Sequence, residues 1–570
     1  MSTPSSFESD SSNTATGPKG QIAHRAHLAH SDRLANRLYA VGADAWCHVG
    51  NGLSNQTFVR GPQGIIAIDT GESIQEMQGS LEALQAVADE PVVAVLYSHF
   101  HYVQGTKAVL GAGEDARPIP IWGHAKIAGN LLRAATDIAP TYVRGIVEQF
   151  GVVMPSEGPD GLANVGLGMA FRFPHHAPST PGFLVPTDTF DAACVIEVAG
   201  LEIHVTPAPS DADDSVTFWF PSLKLAVHNI VWPTLFNVFA IRGEEYRDPR
   251  VLLEGLDHLR SLGAEHLIAT HGPPMSGAEE ITKRVTRYRD SIQFMWDQTV
   301  RWTNRGATSE DLAHLVHLPS IYDDDYLTTE LYGVVEHHVR QIRSGLFGFF
   351  DGDPQHLLPL EPCDRATRLV DAMGGRGRVR ELCQGAIEAE DVRWALELAT
   401  LLERSGDSLT EVQDQLTLAH VLRLVAQRTS AANIRNWCIT RALALDGSVD
   451  TNWLQLHRFT KGQVLSWPFD ISLNVLRVLL DPERADGIDT HVALTRDGVT
   501  CGLHFRNCVA VPTDGEGADV VGRCTNETWA NVLSERVTLA AAISDGLFEF
   551  TGDAARFSAA FCCIDHPSFA

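Results

Sequence analysis

Long apolar runs are missing from this 570-residue sequence. No stretch approaches the roughly 20 apolar residues that a bilayer-crossing helix needs, so a membrane span is excluded. Basic charge is scarce. Lys and Arg number 44 against 71 Asp and Glu, a formal net charge of −27. Sequence-independent nucleic-acid binding needs basic surface to displace counterions, and docking on anionic lipid needs it too, so both are disfavoured. A local basic pocket for an anionic small molecule remains open. Paired cysteines are also lacking. The ten cysteines run from Cys47 to Cys563 with no C-x-x-C spacing, which indicates neither a zinc ribbon nor a thioredoxin motif. Free thiols in a reducing, cytoplasmic setting are expected. The first residues have neither a basic n-region nor an apolar h-region, so residues 1–30 read as a disordered tail and not a signal peptide. No short internal repeat is found.

What is present reads as a multidomain α/β chain. Residues 31–285 alternate β-rich runs with helical stretches. Gly61–Asp69 predicts a turn and a buried strand, and Pro91–Ser98 (PVVAVLYS) is a continuous apolar run typical of a strand covered on both faces. Further strands are expected at Val195–Val205, Val216–Phe220 and Leu267–Thr270. Over residues 286–445 the strand signals stop. Amphipathic spacing predicts helices at Thr286–Thr303, Ser309–Val316, Thr329–Gly345, Val392–Ser405 and Val412–Arg428, with loops at Gly352–Pro354 and Gly374–Gly377. Over residues 446–570 strands return, with a hairpin expected across Arg496-Asp497-Gly498 and short helices at Val532–Glu535, Leu539–Ser544 and Ala554–Phe561.

The chemistry-bearing segment is Ser98-His99-Phe100-His101, directly after the predicted buried strand. Histidines at i and i+2 leaving a strand can turn toward one point, and imidazole suits zinc or iron. His271 also stands just past a short apolar strand, and the cluster Asp211, Asp213, Asp214 lies between two strands. Each alone reads more readily as an ordinary loop or turn residue. His228-Asn229 and His175-His176 carry weaker signals. Asn237 and Arg242 together could fork onto a tetrahedral oxyanion, or lie on a helix surface or in a salt bridge.

Several segments together resemble the bacterial alkyl sulfatases of the metallo-β-lactamase superfamily. They are Leu53–Phe58 with the strand ending at Asp69, Ala163–Met169, Thr217–Pro221, Leu235–Gly243 followed by Arg247-Asp248-Pro249, Leu346–Pro354, Leu494–Asn507 and Ile543–Asp553. The resemblance spans nearly the whole chain. It implies a metallo-β-lactamase αββα sandwich, then an all-α dimerisation domain, then an α+β domain related to sterol carrier proteins, whose apolar groove handles an alkyl chain. The implied activity is desulfation of alkyl sulfate esters with two zinc ions, in a homodimer, on a small anionic or amphiphilic substrate.

The metal motif departs from the family's H-x-H-x-D-H. His99 and His101 fill the first two positions, but Val103 stands for the Asp and Gln104 for the last His. The bridging glutamate position falls at Asn229, or at His228 if the alignment slips by one; the other acidic position falls near Asp211, and the final histidine matches His271. Two close cations need bridging anions to offset their repulsion. One divalent ion per chain is therefore expected, zinc by resemblance with iron or manganese as alternatives. Its expected ligands are His99, His101 and His271, joined by Asp211 or His228, with His175 or His176 as possible substitutes. Asn237 and Arg242 match the sulfate-binding positions, and Asp211 could also activate water. Three readings follow: a one-metal hydrolase of a sulfate or related anionic ester; a redirected mononuclear oxygenase, lyase or isomerase of specialised metabolism; and a non-catalytic carrier of an apolar ligand.

Overall fold

The computed structural model describes residues 6–110, 118–406 and 412–569. The chain divides into two compact units, residues 1–131 with 144–451 and residues 132–143 with 452–570.

In the first unit two sheets face each other. One has seven strands in sequence order, Arg37–Val41, Ala45–Val49, Gln56–Gly61, Gly64–Ile68, Val92–Leu96, Ile121–His124 and Asp188–Phe190. Its first four strands pair antiparallel and the rest parallel. The other has six, Cys194–Val198, Leu201–Pro207, Val216–Phe220, Leu225–His228, His266–Ala269 and Met275–Ser276, with one parallel pairing, Leu225–His228 with His266–Ala269. Strand period dictates the layers. Ile66, Ile68, Ala94 and Leu96 point between the sheets with Ile203, Phe218, Val227 and Ile268. Their neighbours Ile65, Ala67, Val95 and Tyr97 point outward onto the helix Ile74–Gln85 through Met77 and Leu84. Each fully buried aliphatic side chain contributes about 1.5–3 kcal/mol. Both faces are covered, as the run Pro91–Ser98 predicts, and the two sheets with their outer helices form an αββα sandwich within this unit.

At the border expected near residue 285 one helix is continuous and the core is shared. The helix Ala278–Thr303 starts before it, and its Ile281, Val285, Ile292 and Met295 share one core with Trp232, Leu256 and Leu267 of the sandwich and with Val335 and Val339. The helix predicted from Thr329 begins only at Val335. Glu330 accepts a hydrogen bond from the Val335 amide, which caps the helix there. The helix Ala432–Leu445 is missing from the sequence reading because it has no polar face: Asn433, Arg435, Asn436 and Thr440 are buried alongside Ile439 and Leu443.

Residues 6–30 are not a disordered tail. Thr14–Thr16 and Ile22–His24 form a two-stranded sheet, and the helix Arg25–His30 buries His27 and His30. Composition misleads because this segment adds little apolar surface of its own and is held by contacts distant in sequence, such as Phe7 bridging Thr429 and Arg435 donating to the Ile22 carbonyl. Residues 1–5 lie outside the described residues. His30 Nε2 lies 2.8 Å from the Gly166 carbonyl, and burial pushes this imidazole down to about 4. The unfolded chain takes up a proton near pH 6.5 that the folded chain refuses until about pH 4, so stability falls as pH drops through that window. His30→Gln abolishes this uptake. The stability advantage of the unsubstituted chain over the variant is therefore expected to shrink by about 2 kcal/mol between pH 7 and pH 5, measured by urea unfolding.

The second unit is an α+β fold. Its sheet runs Val509–Thr513, Val499–Arg506, Thr490–Arg496, Val520–Cys524, Glu549–Thr551. The predicted hairpin is present: Asp497 (φ 48°) and Gly498 (φ 86°) make a turn whose twist matches the strands. Trp529, Phe505, Phe557, Phe561 and Phe569 pack against one another on the sheet's inner side, so much of the unit's apolar surface forms its own core. Among the described residues no helix is long and apolar enough to cross a membrane.

Candidate metal centre

Three chain segments meet where the strands of the sandwich end. The strand Val92–Leu96 leads through Tyr97 and Ser98 into His99, then into a tight turn at Phe100–Tyr102. The loop after Leu201–Pro207 brings Ser210 and Asp211 alongside, and the Val216 amide donates to the Ser98 carbonyl at 3.0 Å, tying the two loops together. One ligand atom each from His99, His101 and Asp211 lies within 4.8 Å of the others. His101 Nδ1 is 3.1 Å from Asp211 Oδ2, and His99 Nε2 is 3.9 Å from Asp211 Oδ1.

The orientation of His99 is set from behind. Asp69, at the end of the strand Gly64–Ile68, accepts the Ser98 amide at 2.8 Å and the Ser98 hydroxyl at 2.6 Å. With its hydroxyl hydrogen directed at Asp69, the Ser98 oxygen accepts from His99 Nδ1 at 2.8 Å. The proton therefore sits on Nδ1, and the Nε2 lone pair faces Asp211. That nitrogen is buried and has no hydrogen-bond partner. Burial holds His99 down at about 3, against the pull of the Asp211 charge. Burial raises the Asp211 carboxyl, but His99 and His101 outweigh it and keep Asp211 well below the usual range. A neutral imidazole with an unused lone pair beside an ionised carboxylate is what a divalent cation requires. Ser98→Ala leaves His99 free to turn, and is expected to weaken metal affinity about 10–100-fold with the fold intact, measured by chelator competition.

The remaining expected ligands are placed elsewhere. His271 Nδ1 is held by the Leu53 carbonyl at 3.1 Å, and its Nε2 meets the Tyr102 hydroxyl at 3.2 Å, so His271 is not part of the three-residue group. His228 turns its Nδ1 back onto the amides of Ile230 and Val231, and burial alone lowers it to about 3 with no charged neighbour acting on it. Asn229 donates to Asp211 Oδ1 at 2.6 Å and accepts from Trp232 Nε1, so it positions Asp211. Val103 is buried in the apolar cluster of Met77, Tyr97 and Phe100. His176 Nε2 is taken by the Asn51 carbonyl, while His175 is exposed against Phe173; neither joins the group. Of the acidic cluster, Asp213 pairs with Lys126 and Asn130, and Asp214 is buried and pushed up to about 7 by that burial.

Beside the metal group stand Arg242 and Glu244, an ion pair in which each side chain is 8% exposed. Glu244 Oε1 is 3.8 Å from His101 Nε2. Burial raises Glu244, but the Arg242 charge, with His101 and Arg247 behind it, brings it down to about 2. Arg247 is buried, donates to the Asn237 carbonyl at 2.6 Å and lies over Trp232. The Asn237 side-chain amide is buried with neither polar atom hydrogen-bonded. Glu72 is buried nearby, raised to about 7 by burial against the charges of Arg172, His101 and Arg242. Reading the sequence for site residues misses Glu72 and Glu244, and it quotes Asp69, Ser98 and Arg247 within its segments without giving them a role. A carboxylate closing the neighbouring strand and a hydroxyl beside His99 were visible as types, but pairing them requires knowing that the strands adjoin.

Residues 308–448 match the family described as alkyl sulfatase dimerisation. A linear primary-alkylsulfatase of Pseudomonas sp. (strain ATCC 19151) is 32% identical over 445 residues, covering 76% of this chain and 83% of that protein. An (R)-specific secondary-alkylsulfatase of Pseudomonas sp. is 26% identical over 564 residues, 95% of this chain and 82% of its own. The solved structure of the stereoselective inverting sec-alkylsulfatase Pisa1 from Pseudomonas sp. superposes with a TM-score of 0.82 at 22% identity, over 98% of this chain and 92% of that one, and so shares the fold. With the αββα sandwich, the helical segment and this extent of identity together, the chain belongs to the alkyl sulfatase family.

Proposed function

We propose that this protein is a metal-dependent alkyl sulfatase that hydrolyses the sulfate ester of an anionic, amphiphilic substrate using one divalent ion held by His99, His101 and Asp211. The observation that carries this is the buried, unpartnered Nε2 of His99 facing Asp211. An ion bound there supplies Lewis acidity and lowers the pKa of water to about 7. The chain's own groups do the rest. Asp69 and Ser98 hold His99 in its metal-binding tautomer, and Asn229 fixes Asp211. Asn237, Arg242 and Arg247 supply donors for the sulfate oxygens, and Trp232, which lies under Arg247, packs edge-to-face on Tyr332. A cavity of about 610 Å³ lined by Phe150, Met154, Leu162, Met169 and Phe171 suits an alkyl chain. Arg172 also lines it, and its charge, like that of His101, acts on Glu72.

Zinc is the ion the family suggests. Two histidines with one carboxylate are also the donor set of mononuclear iron(II) oxygenases, so a redirected oxygen chemistry is the second reading. The matched helical segment supports a homodimer, with Phe349 (85% exposed) and Leu358 (88%) as the apolar surface a second copy would cover. The ten unbridged cysteines support a cytoplasmic setting. Sulfate release from octyl sulfate, scored together with metal content per chain, tests the function. Release with one ion supports it. Absence of release together with iron-dependent oxygen uptake replaces it with the second reading.

A further inference from the structure

Arg242 does not face an open anion site. Its guanidinium is already paired with Glu244, two residues along the same chain, and both are almost wholly buried. The local chain makes this possible. Gly243 adopts φ 82°, a left-handed conformation, and a Cβ at that position would touch nothing, so the chain is free to fold back between the two side chains. No regular element holds residues 243–246 before the helix that begins at Pro249. The carboxylate lies toward the metal group, 3.8 Å from His101 Nε2. The other donors on this side have no such occupant: the Asn237 amide and Arg247 Nε are buried without hydrogen bonds. Arg242, the guanidinium proposed for sulfate, thus already carries an internal anion, while the Asn237 amide and Arg247 Nε carry none.

We infer that Glu244 is an internal competitor for the sulfate position at Arg242, which a substrate must displace to bind and which helps to expel inorganic sulfate afterwards. This rests on the proposed sulfate role of Arg242. A carboxylate and a sulfate monoester each carry a single negative charge and can exchange on one guanidinium. Both cannot remain there, because like charges at contact in a buried site repel strongly. Glu244 therefore lowers affinity for every anion at this position and sets turnover by product release. Arg242, Asn237 and Arg247 would otherwise hold the product with three sets of donors.

The test compares the metal-loaded wild-type protein with Glu244→Gln, which keeps the shape and removes the charge, and with Glu244→Asp, which keeps the charge. Inorganic sulfate is titrated calorimetrically, and KM and kcat are measured on octyl sulfate. Glu244→Gln is expected to bind sulfate at least about tenfold more tightly, with KM lowered and kcat not raised, while Glu244→Asp stays near wild type. Adding Arg242→Gln should erase the gain. Unchanged or weaker sulfate binding in a folded, metal-loaded Glu244→Gln protein overturns the inference, as does loss of metal from that variant, which would make Glu244 a ligand. If Glu244→Gln is insoluble, Glu244→Ala is read by the same criteria. Tighter sulfate binding in a protein that releases no sulfate from octyl sulfate would sustain the inference while removing the proposed activity. Turnover without tighter binding would do the reverse.

Discussion

His99→Ala is expected to leave the protein without its metal after dialysis and to reduce sulfate release by about a thousandfold or more, because the ion supplies both the electrophile and the acidified water. The effect is larger than for a surface ligand because nothing nearby can replace the lost nitrogen. His271 is engaged by Leu53 and Tyr102, and His228 faces its own turn. The side chain removed is also the anchor of the Asp69–Ser98 chain, so the two remaining ligands lose the third member of their group while His101 stays against Asp211. Metal analysis and sulfate release on one preparation decide the point. A His99→Ala protein that kept its metal at the wild-type ratio would show that His271 or His228 can move in, and the three-residue centre would be wrong.

Restoring the family's aspartate at position 103 is expected to damage the protein and not to improve it. Val103 has no exposed surface and packs among Met77, Tyr97, Phe100 and Ile127. Val103→Asp buries a carboxylate there with no cation, since Gln104 and Asn229 supply no second set of ligands. An unpaired buried charge costs about 3–5 kcal/mol, so the calorimetric Tm should fall by several degrees with metal content still near one per chain. Combined with Gln104→His and Asn229→Glu, the same aspartate gains partners. Stability should then recover only when excess zinc is present, with metal content rising toward two. If Val103→Asp alone bound a second ion without loss of stability, position 103 would already face a metal site, and the one-ion reading would fail.

The layered sandwich was legible in the sequence because strand period and length are local. Pro91–Ser98 could be recognised as buried on both faces, and the Asp497-Gly498 turn as a hairpin, from adjacent residues alone. Two helical boundaries were not. The helix Ala278–Thr303 crosses the expected domain border because its apolar stripe is completed by Trp232 and Leu256, far away in sequence. The helix Ala432–Leu445 hides its polar residues inside, so it shows no amphipathic period. The N-terminal segment was misread for the related reason that its order comes from residues some four hundred positions away.

At the site, the sequence by itself determined which side chains exist to bind a metal. His99 and His101 leave one strand, a carboxylate stands at Asp211, and Val103, Gln104 and Asn229 stand where the family resemblance implies a second set of ligands. Ligand type is a property of single residues, so its loss can be read directly. Only the tertiary structure decided which of the candidates meet. It set His271 against Tyr102, turned His228 onto its own backbone, lined Asp69 and Ser98 up behind His99, and closed Glu244 onto Arg242. Coordination and ion pairing act over a few ångströms between atoms brought together by different loops, and no spacing along the chain encodes those distances.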